Sequence, residues 1–316
     1  MSERINYVDN LRTITVSLLI VFHLAMSYNT WNEPNYIFFE PVNLFASIVV
    51  FIVPWFMPLM FLLAGVSAFY SLKKRSFSVF IKERLLRLGL PLIFGIFFLN
   101  PVLSYIADVT HNGYKGNYIE HYAVFFQKFT DLSGYDGAFT LGHLWFIAVL
   151  LVISIVSCAF AKLFQKTTRK STQNLINALL IVAAVASFNV KILGKPLITY
   201  FCTYLSGYFL FSSQKWIKKI AKFKWLFVFS FLIFSILNVL FFVYAENFET
   251  LQTVFNYLSF ACGIPALICL GKDYLDYSTV FSRYCSKLSY VFYIVHFPAV
   301  VLFFFQDEQD FALSQY

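Results

Sequence analysis

Nine runs of apolar residues, most of them about 20 long, divide this chain of 316 residues, and no other feature restricts its fold as strongly. A helix of that length spans the roughly 30 Å of hydrocarbon in a bilayer. Within hydrocarbon every backbone N–H and C=O must find a partner inside the protein, which leaves helices as the solution for runs this long. The runs lie at about 11–28, 43–71, 88–107, 142–165, 175–190, 197–213, 226–245, 254–271 and 288–305. The chain therefore reads as all-α, a polytopic transmembrane helix bundle of about nine spans. It forms one integral membrane domain over 1–305, followed by a polar tail over 306–316. A content of 59% hydrophobic and 13% charged residues excludes an ordinary soluble domain. The second run contains Pro54 and Pro58, so it either kinks or begins as an interfacial piece before Trp55.

A net charge of +8 raises nucleic acid as a partner, but the cations sit in short clusters between apolar runs, as in cytoplasmic loops. With the N-terminus placed inside, only Lys115, Lys128, Lys191 and Lys195 of the 24 Lys and Arg fall outside, while most acids do. The positive-inside bias thus predicts a cytoplasmic N-terminus, a lipid bilayer as the surrounding partner, and no nucleic acid. The first run carries Arg12 and His23 and lacks a following small-x-small site, so it reads as a retained signal anchor. Cys158, Cys202, Cys262, Cys269 and Cys285 lie in or beside apolar segments without CxxC spacing, which implies neither a disulfide frame nor a metal site. In the long external loop, about 108–141, Ile119, Tyr122, Phe126 and Phe129 form an apolar stripe at helical spacing, expected to lie on the outer membrane face.

Arg12 and His23 are the candidates for chemistry in the first run. Eleven steps of about 100° return to within roughly 20° of the start, so both side chains share one helix stripe. Ionisable groups at membrane depth face a bundle interior or a wet cavity and mark function by default. Arg12, at the end of the run, serves equally well as an interfacial anchor that snorkels to the headgroups. Arg84 and Arg87, three apart in the first internal loop, share a helix face where guanidinium forks would grip phosphate; a plain topogenic cluster holding anionic lipid explains them too.

His143 opens the fourth span beside Trp145, which on its own describes an interfacial histidine next to a belt tryptophan. His296 lies eight residues into the last span, one turn after Tyr293, where a Tyr–His hydrogen bond would tie helices together. His111 and His121, in the external loop, are expected to be solvated. Asn100, before Pro101, and Asn238 are intramembrane polar points that read as helix glue. A histidine base near Arg-held phosphate suits acyl transfer from a phosphorylated thioester to a hydroxyl, although HxxxD and GxSxG motifs are absent.

The string Tyr7-Val8-Asp9-Asn10-Leu11-Arg12, with His23 at R-x10-H spacing, resembles the opening of the acyltransferase 3 family of bacterial membrane acyltransferases. Pro58-Leu59-Met60-Phe61-Leu62-Leu63-Ala64-Gly65 is similar to its second-span signature, and Arg84-Leu85-Leu86-Arg87-Leu88-Gly89-Leu90-Pro91 to its basic loop. His143-Leu144-Trp145-Phe146 and the segment from Tyr290 to Pro298 resemble its HLW and Y-x-x-H-x-P elements. The continuation Phe146-Ile147-Ala148-Val149-Leu150 lies nearer the glucan succinyltransferase branch than the O-antigen acetylating one. The family leads one to expect ten or more spans, at least one beyond the ninth run.

This resemblance implies an O-acyltransferase of the bacterial cytoplasmic membrane, which moves an acetyl or succinyl group from cytoplasmic acyl-CoA to a hydroxyl of an extracytoplasmic glycan. It carries over His23 as catalytic base, Arg12 as its partner, and Arg84 with Arg87 as contacts of the donor substrate acyl-CoA. His143, Trp145, His296 and Asp9 are further catalytic or acceptor-site candidates, with no tightly bound cofactor and no metal. Two other functions fit the same composition: a glycan or small-molecule transporter or flippase using its histidines as a proton relay, and an inactive scaffold homologue. The hydropathy shows no inverted repeat and no matched pair of Gly/Pro-broken spans of the kind transporters carry.

Overall fold

The computed structural model describes residues 5–130, 132–165, 170–245 and 247–314. Eleven helices are found among them: α1 (Asn6–Met26), α2 (Asn43–Leu72), α3 (Phe77–Asn112), α4 (Tyr118–Gln127), α5 (Trp145–Gln165), α6 (Lys170–Ala186), α7 (Leu197–Phe211), α8 (Gln214–Ala221), α9 (Lys224–Tyr244), α10 (Glu249–Tyr274) and α11 (Val280–Ser314). Within the described residues there is no strand, only one isolated bridge between Ile192 and Lys195. The expected all-α bundle is what the chain forms, and the second apolar run is a single helix from Asn43 onward.

Each of the nine apolar runs forms a helix. Among the described residues seven are long and apolar enough to cross a membrane: α1, α2, α3, α5 with its opening turn from Gly142, α9, α10 and α11. The fifth and sixth runs form shorter apolar helices, Asn174–Ala186 and Leu197–Phe211. At about 1.5 Å per residue these fall short of roughly 30 Å. They pack as a hairpin in which the Thr199 hydroxyl donates to the Ala184 carbonyl (3.1 Å) and meets the Ser187 hydroxyl (3.0 Å). Whether such a hairpin crosses or only dips in, the chain leaves on the side it entered. The orientation of α9 to α11 therefore does not depend on it.

The helices gather into two compact units. The first takes 1–15, 50–85 and 149–287; the second takes 16–49, 86–148 and 288–316. In the first unit α2 and α7 cross with almost no separation. A Cβ on Gly65 would lie 2.0 Å from the Tyr204 carbonyl oxygen, and one on Gly207 would lie 2.1 Å from the Leu62 carbonyl oxygen. Only glycine permits this approach, and small residues are what allow apolar helices to gain contact area without a solvent-driven hydrophobic effect. α9 packs on α10, with Ser235 and Ser259 hydroxyls 2.7 Å apart. The Asn10 amide caps the end of α10 by donating to the carbonyls of Leu275 (2.7 Å) and Tyr277 (3.0 Å).

The second unit packs around Tyr36, Leu103, Ile106, Ala107, Phe297 and Val301. α4 is capped at Asn117, whose side chain accepts from the Glu120 N–H while Glu120 reaches back to the Asn117 N–H. Its buried face is distinct from the apolar stripe, which the sequence assigns to the membrane rather than to the protein interior. His121 and Phe125 are the buried residues, whereas Ile119 and Phe129 are exposed and Phe129 lies beyond the helix end. The reason is a polar anchor, because a His121 ring nitrogen meets the Asp108 carboxylate at 3.1 Å. His121 is thus fully buried rather than solvated; His111 is exposed, with Nε2 donating to the Asn35 carbonyl (2.5 Å).

Prolines inside the long helices share one consequence. A proline at position i cannot donate to the carbonyl at i−4, and that oxygen must be satisfied otherwise within a bundle. Pro54 leaves the Val50 carbonyl free, and the Asn238 amide donates to it at 3.1 Å. Pro101 leaves Phe97, whose carbonyl accepts from the Tyr122 hydroxyl at 3.2 Å. Pro298 leaves Ile294, and there the donor is His143 Nε2 at 2.8 Å. The helix-glue reading of Asn238 holds, whereas Asn100 ties α3 to the loop before α5, its amide donating to the Thr140 carbonyl at 3.0 Å.

Candidate functional site

Three of the five histidines meet in the second unit. His23 stands one turn from the end of α1, His143 in the 3₁₀ turn Gly142–Leu144 that opens α5, and His296 in α11. The His23 and His296 ring centres are 5.3 Å apart, and those of His296 and His143 are 5.2 Å apart. Phe297 closes the group, 4.1 Å from the His23 ring and 5.5 Å from that of His143. His143 (5% exposed) and His296 (3% exposed) are buried, whereas His23 is half-buried. His143 is turned into the protein by its bond to the freed Ile294 carbonyl.

The hydrogen bonds set the tautomers. A carbonyl oxygen only accepts, so His143 carries its proton on Nε2, where it meets Ile294. His296 carries its proton on Nδ1, which donates to the Tyr293 carbonyl at 2.7 Å. The remaining nitrogens, His143 Nδ1 and His296 Nε2, are buried and unpartnered among the described residues. In the neutral ring each is a bare lone pair, the form a general base requires. Tyr293 buttresses the arrangement by donating its hydroxyl to the His143 backbone carbonyl. The Tyr–His tie expected from sequence is thus made through backbone oxygens rather than between the two side chains.

The other candidates fall elsewhere. Arg12 belongs to the first unit, where its guanidinium meets the Asp9 carboxylate (3.3 Å) and donates to the Ser67 hydroxyl of α2 (2.7 Å). Ser67 in turn donates to the Leu63 carbonyl at 2.8 Å. These contacts hold Arg12 in a defined place instead of leaving it extended toward headgroups. Arg84 lies 4.9 Å above the Phe80 ring, a cation–π arrangement. Arg87 lies in a π-helical turn, Leu85–Gly89, and its backbone carbonyl accepts from the Tyr290 hydroxyl at 2.6 Å. The wider turn departs from the α-helical spacing on which their shared face was predicted. Trp145 is half-buried at the first position of α5. No group of three or more metal-ligating side chains occurs among the described residues.

Sequence reasoning missed Phe297, Ser67 and the Asp108–His121 pair. The His-x-Pro spacing at 296–298 was the one usable signal, since it foretells a free carbonyl at 294 beside a histidine.

Seven membrane-length helices among the described residues, and a buried group of imidazoles whose tautomers are fixed by carbonyls, define a multi-pass membrane protein. The profile of the acyltransferase 3 family, an acyltransferase domain, matches residues 5–306, and the chain belongs to that family. It is a membrane acyltransferase. No curated protein and no solved structure matches it.

Proposed function

We propose that this protein transfers an acetyl or succinyl group from cytoplasmic acyl-CoA to a hydroxyl of an extracytoplasmic glycan, with His23 as general base. The supporting observation is the histidine group, in which the half-exposed His23 lies beside two buried rings whose tautomers are fixed by carbonyls. His23 takes the proton from the acceptor hydroxyl as its oxygen attacks the thioester carbonyl. The C–S bond breaks, and the proton held by the imidazole passes to the departing CoA thiolate, so charge and atoms balance. His296 and His143 orient the base and disperse its transient positive charge. Arg12 is the second group that the resemblance brings into the reaction, and Arg84 and Arg87 are the proposed contacts of the CoA phosphates.

The site of action is the bacterial cytoplasmic membrane, with the N-terminus inside. The clusters Lys73 to Arg75, Lys215 to Lys224, and Lys272 to Lys287 all fall on one side when the helices alternate. Membranes holding wild-type or His23→Ala protein, supplied with labelled acetyl-CoA or succinyl-CoA, test the reading. Transfer to glycan should fall by roughly 10²–10⁴ in His23→Ala at equal membrane abundance. Near wild-type transfer in that variant, with loss only in His143→Ala, would move the base to His143.

A further inference from the structure

Four lysines share one face of α8 and of the residue that follows it. At about 100° per residue, Lys215, Lys218, Lys219 and Lys222 fall within an arc of roughly 100°, and all four are exposed. Lys222 keeps the helical backbone past Ala221. Trp216, Ile217 and Ile220 occupy the opposite arc, where Ile217 is buried and the other two are half-buried. α8 packs on α10 and on the last turn of α7. Its start is held as well: the Tyr70 hydroxyl of α2 donates to the Ser212 carbonyl (3.1 Å), and the Ser212 hydroxyl donates to the Tyr208 carbonyl (2.6 Å). The lysine face is thus presented at a fixed place in the first unit.

None of these four lysines has a carboxylate within ion-pair distance among the described residues. The acids around them are already taken. Asp273, at the end of α10, pairs with Lys224 (2.5 Å), and Asp276, just beyond it, pairs with Lys272. Depth in the bilayer follows from α9, which begins two residues after Lys222 and exposes Trp225, Leu226 and Phe229. On a spanning helix such residues face lipid, and a tryptophan in the first turn belongs to the interfacial belt. The lysine face therefore lies at headgroup level.

We propose that this face of α8 is a docking surface for anionic phospholipid, which supplies from its headgroup phosphates the counter-charge that the protein withholds. Orientation of the spans needs only an excess of Lys and Arg within a loop. Confinement of the charge to one face, opposite packed apolar residues, is a further feature, and it is the pattern of helices that lie along a charged membrane surface. Lys215 and Lys222 are about 10 Å apart along the axis. A convex, exposed row of that length meets several headgroups side by side rather than one enclosed anion. The lipid contact is independent of the acyl-transfer reading.

The test reconstitutes the full-length protein, without donor, in vesicles of equal parts phosphatidylcholine and phosphatidylglycerol, with brominated chains on one lipid at a time. Bromine quenches nearby tryptophans, and Trp216 and Trp225 flank the lysines. Wild type should be quenched more strongly by brominated phosphatidylglycerol than by brominated phosphatidylcholine, by roughly threefold or more in relative association. That preference should fall toward one when all four lysines become Gln and persist when all four become Arg, since the attraction is one of charge. Lys218→Gln and Lys222→Gln alone should each give an intermediate value, which keeps the test open if the fourfold variant does not fold. Equal quenching by both lipids in the wild type, an undiminished preference in the Gln variants, or loss of preference in the Arg variant would each overturn the assignment. Loss of the wild-type preference on adding free CoA would overturn it too, and would give these lysines to the phosphates of the donor.

Discussion

His143 Nε2 donates to the Ile294 carbonyl across 2.8 Å, and that oxygen is available because Pro298, four residues on, has no N–H to offer. A helix defect is thereby turned into a tautomer lock on a buried histidine.

Pro298→Ala should separate helix stability from activity. The new N–H completes the α11 ladder at Ile294 and competes with His143, while removal of an interior proline gains up to about 3 kcal/mol in helix propensity. Thermal unfolding of the purified protein should shift upward or stay level. Acyl transfer should fall by roughly tenfold, well short of the 10²–10⁴ expected for losing a general base. Unchanged transfer in a protein of higher stability would remove any role for the tautomer lock.

Arg84→Lys and Arg87→Lys distinguish a phosphate grip from an orientation signal. Lysine keeps the charge but not the planar bidentate fork, so each lost contact should weaken donor binding by about 1–3 kcal/mol. The apparent KM for acyl-CoA at matched expression is the measurement. If neither variant changes it, the basic segment serves topology alone, since Lys and Arg orient spans equally.

α4 should loosen on acidification. Burial lowers the pKa of His121 below its usual 6.5, and the Asp108 carboxylate only partly opposes this. With the folded value depressed, the unfolded chain binds more protons as pH falls below 6.5, so the stability that neutral His121 confers at neutral pH is lost on descent through the folded pKa. Amide protection factors across Tyr118–Gln127, exchange rates corrected for the base-catalysed intrinsic rate, should be lower at pH 5 than at pH 7, and His121→Gln should flatten the difference. Equal protection at both values in the wild type would contradict this.

Cysteine labelling tests the orientation. Lys219→Cys should be shielded from an impermeant thiol reagent in intact cells and Lys115→Cys labelled, each against the wild-type background. The reverse pattern would invert every helix.

The apolar runs were sufficient for the helices, because pairing of backbone groups in hydrocarbon is a local demand that each segment meets by itself. The motifs around Arg12 and His23 were legible for the same reason, since a polar group in such a run stands out without knowledge of its neighbours. At the fifth run, 175–190, hydropathy continued four residues past the helix end at Ala186, whereas the sixth began where its helix begins, at 197; that the two helices pack as a hairpin was not legible. Sequence also placed His121 in water and showed no partner for His143, because spacing says nothing of the carboxylate or carbonyl that a distant segment supplies. Those partners, Ile294 at 151 positions from His143 and Asp108 on another helix from His121, exist only once the chain has packed. The helices thus followed from composition along the chain, whereas the grouping of three imidazoles, and the nitrogens that bear the protons of His143 and His296, were decided by tertiary contacts, in which a buried N–H takes the carbonyl that packing brings to it.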